Sequence, residues 1–252
     1  MVVTALAGAL GFLSRVPVGR SEAHWKAFAA TPVAFPLAGY VLGVLLAVVV
    51  GVAVALPIPA PTVALAYLLA LAVVIGVNHF DGVADLGDAA VVHGDVERRR
   101  DVLKDTDLGV GGALALAGVV VALALAGLGL AGLPPRAAVG LVVASEVGAK
   151  LAMALLSCLG TAAHEGMGSQ FTGQSNPSNA VVPLVASAPA VALTIPSPAA
   201  LVAVLAAVGT GLAVRRWARD NLGGTSGDVF GAADQLARLA ALHAGVIAWT
   251  LS

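Results

Sequence analysis

Eight of the chain's 14 acidic residues lie between Asp81 and Asp107: Asp81, Asp85, Asp88, Asp95, Glu97, Asp101, Asp105 and Asp107. The run Asn78-His79-Phe80-Asp81-Gly82-Val83-Ala84-Asp85-Leu86-Gly87-Asp88 spaces three aspartates at i, i+4 and i+7, which on a helix share one face. Like charges so arranged repel, and the repulsion grows near a low-dielectric boundary. A divalent cation would cancel it. Hard carboxylate oxygens suit Mg²⁺, which takes one or two carboxylates together with substrate phosphates. Asp81, Asp85 and Asp88 are therefore the candidate metal ligands. A solvated acidic loop is the competing reading of any charge run. Against it, Gly82 and Ala84 leave room between the carboxylates for a bulky ligand. The run Glu97-Arg98-Arg99-Arg100-Asp101-Val102-Leu103-Lys104-Asp105 then sets cations beside further carboxylates, a combination suited to a polyphosphate.

A second candidate is the glycine-rich loop Asn221-Leu222-Gly223-Gly224-Thr225-Ser226-Gly227-Asp228, which leads into an apolar segment and could present backbone N–H groups to an anion. His79, next to the aspartates, is a candidate base; an interfacial hydrogen-bonding role is the alternative. His24, His93, His164 and His243 show no ligand spacing. Trp25, Trp217 and Trp249 fall near the ends of apolar segments and fit an aromatic belt. Cys158, alone, forms no internal disulfide.

The elements that must position these residues are set by composition. Of 252 residues 59% are hydrophobic and 11% charged, with a mean hydropathy of +0.97, where soluble domains carry about 25% charged residues. This excludes a soluble globular domain and predicts a single all-α, polytopic membrane domain over residues 1–252. The net charge of −1 offers no basic field for nucleic acid. A membrane span needs about 20 apolar residues. Seven segments qualify: about 32–56, 62–80, 109–133, 137–159, 179–195, 197–214 and 231–250. The fifth is short and carries Pro183 and Pro189, so it and the sixth could form a hairpin that crosses only partly. Residues 1–13 read as an interfacial or re-entrant helix rather than a signal peptide. With seven spans, Arg15, Arg20, Lys26, Arg98, Arg99, Arg100, Lys104, Arg215, Arg216 and Arg219 share one side and Arg136 holds the other, while Lys150 and Arg238 lie within spans. The positive-inside rule puts the first group, and with it the polar loops, in the cytoplasm.

These motifs together resemble the cobalamin synthase family, the adenosylcobinamide-GDP ribazoletransferases. The resemblance is carried by His79 through Asp88, Arg98 through Gly109, and Gly223-Gly224-Thr225-Ser226-Gly227-Asp228 with Gly231-Ala232, supported by Phe12-Leu13-Ser14-Arg15-Val16-Pro17-Val18 and Phe35-Pro36-Leu37. It runs from about residue 11 to 234, with departures at Ala89, Asp101, Ser226 and Lys150. It implies a multi-pass enzyme of a prokaryotic cell membrane, its active site facing the cytoplasm. Such an enzyme joins adenosylcobinamide-GDP to α-ribazole or its 5′-phosphate and releases GMP, in the last steps of cobalamin biosynthesis. In that reading Mg²⁺ on Asp81, Asp85 and Asp88 binds the pyrophosphate and Lys104 steadies the leaving phosphate. Asp105 completes the metal shell or takes the hydroxyl proton. Gly223, Gly224, Ser226 and Asp228 hold the nucleotide or second substrate. The partners implied are these two substrates and the lipid bilayer; a homo-oligomer is compatible with them. Two other classes of membrane protein also carry grouped carboxylates. CDP-alcohol phosphotransferases also use spaced aspartates, but with an Arg following the Asp-Gly segment, where this chain runs on to Asp85. A cation transporter would gather carboxylates near the membrane midplane.

Overall fold

The computed structural model describes residues 2–18, 21–105 and 107–252. Its helices are α1 (Val2–Leu13), α2 (Glu22–Ala29), α3 (Ala34–Ala55), α4 (Ala60–Val74), α5 (Asn78–Val91), α6 (Val96–Val102), α7 (Val110–Ala131), α8 (Pro135–Leu159), α9 (Met167–Thr172), α10 (Val181–Ser187), α11 (Ala199–Leu222) and α12 (Gly227–Thr250). Among the described residues the only bridge of β type is an isolated one between Ala162 and Thr225.

Four helices, α3, α7, α8 and α11, are each long and apolar enough to cross a membrane. The segments expected at 32–56, 109–133, 137–159 and 197–214 are found in them, the last extended to Leu222. The segment expected at 62–80 is not one helix. Gly76 takes a φ of +91°, a conformation side chains other than glycine avoid, and ends α4. The chain then turns by 99° into α5. The aspartate run thus lies on its own 14-residue helix, which is too short and too charged to span by itself. The segment at 179–195 is broken as its prolines suggest: seven residues of α10 lie between 3-10 turns at Pro177–Ala180 and Ala188–Ala192. The last segment is continuous in α12, 24 residues long, but carries Asp234 and Arg238 and is less apolar than the other four.

Helix α8 forms the centre, almost wholly buried by its neighbours, while α3, α7 and α11 present valines and leucines such as Val48, Val52, Leu125, Leu201 and Leu205 outward. In a bilayer, helices associate through close packing of small residues rather than through hydrophobic burial. Gly39 and Gly43, one turn apart on α3, do this against α8: a Cβ on Gly39 would lie 2.9 Å from Val147 Cα, and one on Gly43 3.0 Å from Val143 Cα.

One end of the bundle collects the polar connections. The Arg15 N–H donates to the Val74 carbonyl (2.9 Å). Arg100 Nε donates to the Leu222 carbonyl at the end of α11 (2.7 Å), and Arg215 Nε to the Leu159 carbonyl at the end of α8 (2.8 Å). An aromatic cluster of Phe12, Trp25, Phe28, Phe35, Phe171 and Phe230 fastens the α1–α2 hairpin to α3, α9 and α12 at this end, with ring centroids from 4.7 to 6.3 Å apart. Trp25, half-buried, packs against this cluster. At the opposite end the hydroxyls of Ser197 and Ser252 meet (2.9 Å). Arg20 lies outside the described residues.

Candidate active site

Asp81, Asp85 and Asp88 all stand on α5, as their spacing predicts. What brings a fourth carboxylate to them is Gly82. A Cβ there would come within 2.4 Å of the Asp228 carbonyl, so α5 lies directly against the first turn of α12. Ala84 is also buried, its carbonyl against Gly112 where α5 meets α7. The small residues between the aspartates thus serve helix packing; they do not leave space for a ligand. Asp85 shows the electrostatic result. Burial, followed by the charges of Asp228, Asp81 and Asp88, pushes its carboxyl up to about 6. None of these four carboxylates forms an ion pair among the described residues.

Asp88 has a task that spacing alone does not reveal. Its two oxygens accept the N–H groups of Gly109 (2.9 Å) and Gly112 (2.8 Å) and so satisfy the start of α7. Among the described residues no three of His, Cys, Asp and Glu converge closely enough to hold a metal between them. Mg²⁺ held by one or two carboxylates and by substrate phosphates asks for less. Asp81, Asp85 and Asp228, hard oxygen donors in a region of uncancelled negative charge, fit that requirement.

The cations are distributed otherwise than the sequence implies. Arg99 donates to the Ala89 carbonyl (2.6 Å) near the end of α5, and Arg100 and Arg215 do the same for α11 and α8, where the helix dipole favours positive charge. Lys104 pairs with Asp101 at 3.0 Å on the surface. With Arg100, His164, Ser226 and Asp228 it also lines a cavity of about 140 Å³. Asp105 is exposed and accepts the Asp107 N–H (3.1 Å) in a local turn, so the structure does not bring it to the other candidates.

The glycine-rich loop is pinned. Gly223 ends α11 with a φ of +70° beneath the Arg100 guanidinium, and Thr225 bonds through both N–H and Oγ1 to the Thr161 carbonyl, each at 2.8 Å. Gly223 and Gly224 shape the turn. Ser226 caps α12, accepting the Val229 N–H (3.4 Å) and donating to Asp228 Oδ2 (3.1 Å). Leu222, Ser226, Gly227 and Asp228 are the loop residues that line a cavity.

His79, only 11% exposed, bonds through Nδ1 to Asp234 Oδ2 at 2.7 Å. Asp234 is fully buried, and its other oxygen accepts from Lys150 Nζ at 2.5 Å. Arg238 Nη2 donates to Asp234 (2.9 Å) and to Glu146 Oε2 (3.0 Å), and Arg238 Nε also bonds Glu146. Lys150 lies 3.5 Å from Glu146. Two carboxylates and two cations thus cancel inside α8 and α12. With Asp234 accepting, His79 carries its proton on Nδ1, leaving Nε2 as the acceptor. The Glu146–Lys150 pair is legible in the sequence from its i, i+4 spacing and is present; Asp234, with its pairing to Arg238, Lys150 and His79, was missed.

His79, Asp81 and Asp228 line a second cavity, of about 400 Å³, closed on its far side by α1 and α2. Asp228 borders both cavities. The arrangement provides a proton acceptor, a group of anions and a cationic side pocket around one carboxylate, which suits transfer of a phosphoryl-type group to an alcohol.

Comparison with known proteins agrees with this chemistry. The family model for cobalamin-5-phosphate synthase matches residues 5–246. The adenosylcobinamide-GDP ribazoletransferase of Halorubrum lacusprofundi is 55% identical over 99% of this chain and 99% of its own length. That of Haloquadratum walsbyi is 46% identical with 100% of each chain covered, and that of Methanocella arvoryzae is 30% identical over 98% of this chain and 97% of its own. No solved structure matches. The chain belongs to the cobalamin-5-phosphate synthase family.

Proposed function

We propose that this protein joins adenosylcobinamide-GDP to α-ribazole or its 5′-phosphate, giving adenosylcobalamin or its phosphate and GMP. The observation that carries the reading, given the family, is the placement of Asp81 and Asp228 with His79 on one cavity wall, with Asp85 near enough to feel both charges. A ribose hydroxyl oxygen bonds to the phosphorus on the cobinamide side of the pyrophosphate. The bond from that phosphorus to the bridging oxygen breaks, and its electron pair leaves with GMP. His79 Nε2 accepts the hydroxyl proton while Asp234 holds the ring and stabilises its positive charge. Lys104 and Arg100 face the departing phosphate from the smaller cavity. One or two of Asp81, Asp85 and Asp228, together with the substrate phosphates, would hold Mg²⁺, which when bound would neutralise charge on the pyrophosphate. Asp88 fixes α5 against α7 and completes the negative field, and Asp105 shapes its loop.

We assign seven crossings: α3, the 57–77 segment around α4, α7, α8, the broken 177–192 segment, α11 and α12. The buried charges of α12 are admissible in a membrane because α8 pairs them. The end bearing Lys26, Arg98, Arg216 and Arg219 faces the cytoplasm of a prokaryotic cell, opposite Arg136. Membranes holding the protein, given both substrates and Mg²⁺, release GMP and form the joined corrinoid; no GMP with both substrates present refutes the transferase reading. Reporters near Asp95 and Asp220 read cytoplasmic and one at Ser252 reads external. Opposite sides for Asp95 and Asp220 would separate the motifs and refute a shared site.

A further inference from the structure

Helix α5 has two unlike faces. Asp81, Asp85 and Asp88 share one, and the helical repeat puts Val83, Leu86 and Ala90 on the opposite one. That apolar face roofs a third cavity, of about 550 Å³, walled also by Gly118 of α7, Trp217 of α11 and Leu236 of α12. Val83 and Leu86 are buried in its depth, whereas Ala90, Leu114, Gly118 and Ala213 are exposed at its mouth. The cavity therefore opens sideways between α7 and α11, with α12 as its floor. Counted from the ends of α7, α11 and α12 that carry the polar site, its lining lies roughly 6–18 Å deep on all three. That is the level of one leaflet, half of a hydrocarbon core of about 30 Å.

Among the described residues no lining side chain but Trp217 can hydrogen-bond, so water has too few partners to fill the space. A helix of a second copy, about 10 Å across, is too thick for a crevice of this volume between helices. A lipid tail is thin, flexible and apolar, and it reaches the mouth directly from the bilayer. The rim adds charge. Arg99 donates to the carbonyls of Ala89 and, at 3.5 Å, of Ala90 at the mouth. Arg216 and Arg219 stand beside Trp217 on α11 and share a single acid, Asp220. Three guanidinium groups against one carboxylate favour an anionic headgroup. We propose that this cavity is a lipid site, in which one acyl chain of an anionic phospholipid lies under α5 with its phosphate by Arg99, Arg216 and Arg219. The tail packs behind Val83 and Leu86 and so backs the helix whose other face carries the aspartates. The site is separate from the two cavities that Asp228 borders and does not depend on the transferase reading.

The test uses the full chain, purified in mild detergent and followed by native mass spectrometry. The parent retains one phosphatidylglycerol per chain and binds phosphatidylcholine about tenfold more weakly. A Cβ added at Gly118 or at Gly209 meets nothing within 4 Å, but of the two only Gly118 lines the cavity. Gly118→Phe puts a ring in the mouth and lowers the retained lipid about tenfold. Gly209→Phe makes the same change in helix propensity and leaves the lipid at the parent level. Added phosphatidylglycerol raises the unfolding temperature of the parent and leaves that of Gly118→Phe unmoved. A parent that retains no lipid, or holds both lipids equally, overturns the proposal without any substitution. Equal loss in the two variants, or no loss in Gly118→Phe, also overturns it. So does a parent dimer that Gly118→Phe separates, because a second copy then covers the mouth. None of these readings involves GMP, so a failure of the transferase reading leaves them untouched.

Discussion

Two groups of charges lie on either side of His79, and they are built on opposite plans. Glu146, Lys150, Asp234 and Arg238 are buried in α8 and α12, and their charges cancel through direct bonds. Asp81, Asp85, Asp88 and Asp228, at the end of the bundle, are all negative, and Asp85 is pushed up by its neighbours as well as by burial. Where surrounding lipid offers no ions, the chain supplies both signs itself, because an unpaired charge there costs several kcal/mol. Where the site opens to water, four carboxylates gather with no ion pair among the described residues. His79 bridges the two, bonded to the balanced group and two residues from the unbalanced one.

The comparison breaks most sharply at Asp234. Asp234→Asn leaves Lys150 and Arg238 with Glu146 alone, and thermal unfolding in detergent should show a loss of about 3–5 kcal/mol. Combining it with Lys150→Met removes one charge of each sign and should recover most of that loss. A single variant as stable as the parent would mean the balanced group does not hold α8 to α12. Gly82→Ala acts on the other group. The added carbon meets the Asp228 backbone, so α5 and α12 must part, at a cost of about 1–3 kcal/mol. GMP release should fall with it, since Asp81 and Asp85 lose their registration with Asp228. Unchanged stability and turnover would show that the contact is unimportant.

The smallest effect is a pH dependence. In the folded, metal-free protein Asp85 ionises near 6, above its ordinary value of 3.8. Its contribution to stability is therefore complete below about pH 4 and is lost as the pH rises through 6. The difference in stability between the parent and Asp85→Asn, followed from pH 4 to 7 without divalent cations, should drift against the parent. A flat difference would contradict the crowding of charge around Asp85.

Much of this was legible in the chain itself. The i, i+4, i+7 spacing placed three aspartates on one helix, the apolar segments marked the long helices, and the one-sided arginines and lysines named the end that carries the site. What stayed hidden depends on contacts between distant segments. Asp228 joins the aspartates only because Gly82 admits the turn of α12, and nothing near Gly82 in sequence names that partner. Asp88, Arg99 and Arg100 look like ligands by type, yet they satisfy helix ends that exist only once the helices are assembled. The bend after Val74 was readable in principle from Gly76, but the apolar residues on both sides favoured a continuous span. The position of Trp25 near span ends says nothing of its packing on Phe12 and Phe171.

The central claim is that the unbalanced group takes up a divalent cation for the reaction. Its most direct test is a Mg²⁺ titration of thermal stability on the parent and on Asp85→Asn, with GMP release measured on the same preparations. The parent should gain stability as RT ln(1 + [L]/Kd), about 2.7 kcal/mol at a hundredfold excess over Kd. Asp85→Asn should be at least as stable without metal near neutral pH, lose most of that gain, and release GMP about a hundredfold more slowly or worse. A parent indifferent to Mg²⁺, or an Asp85→Asn protein that releases GMP at the parent rate, would contradict the claim.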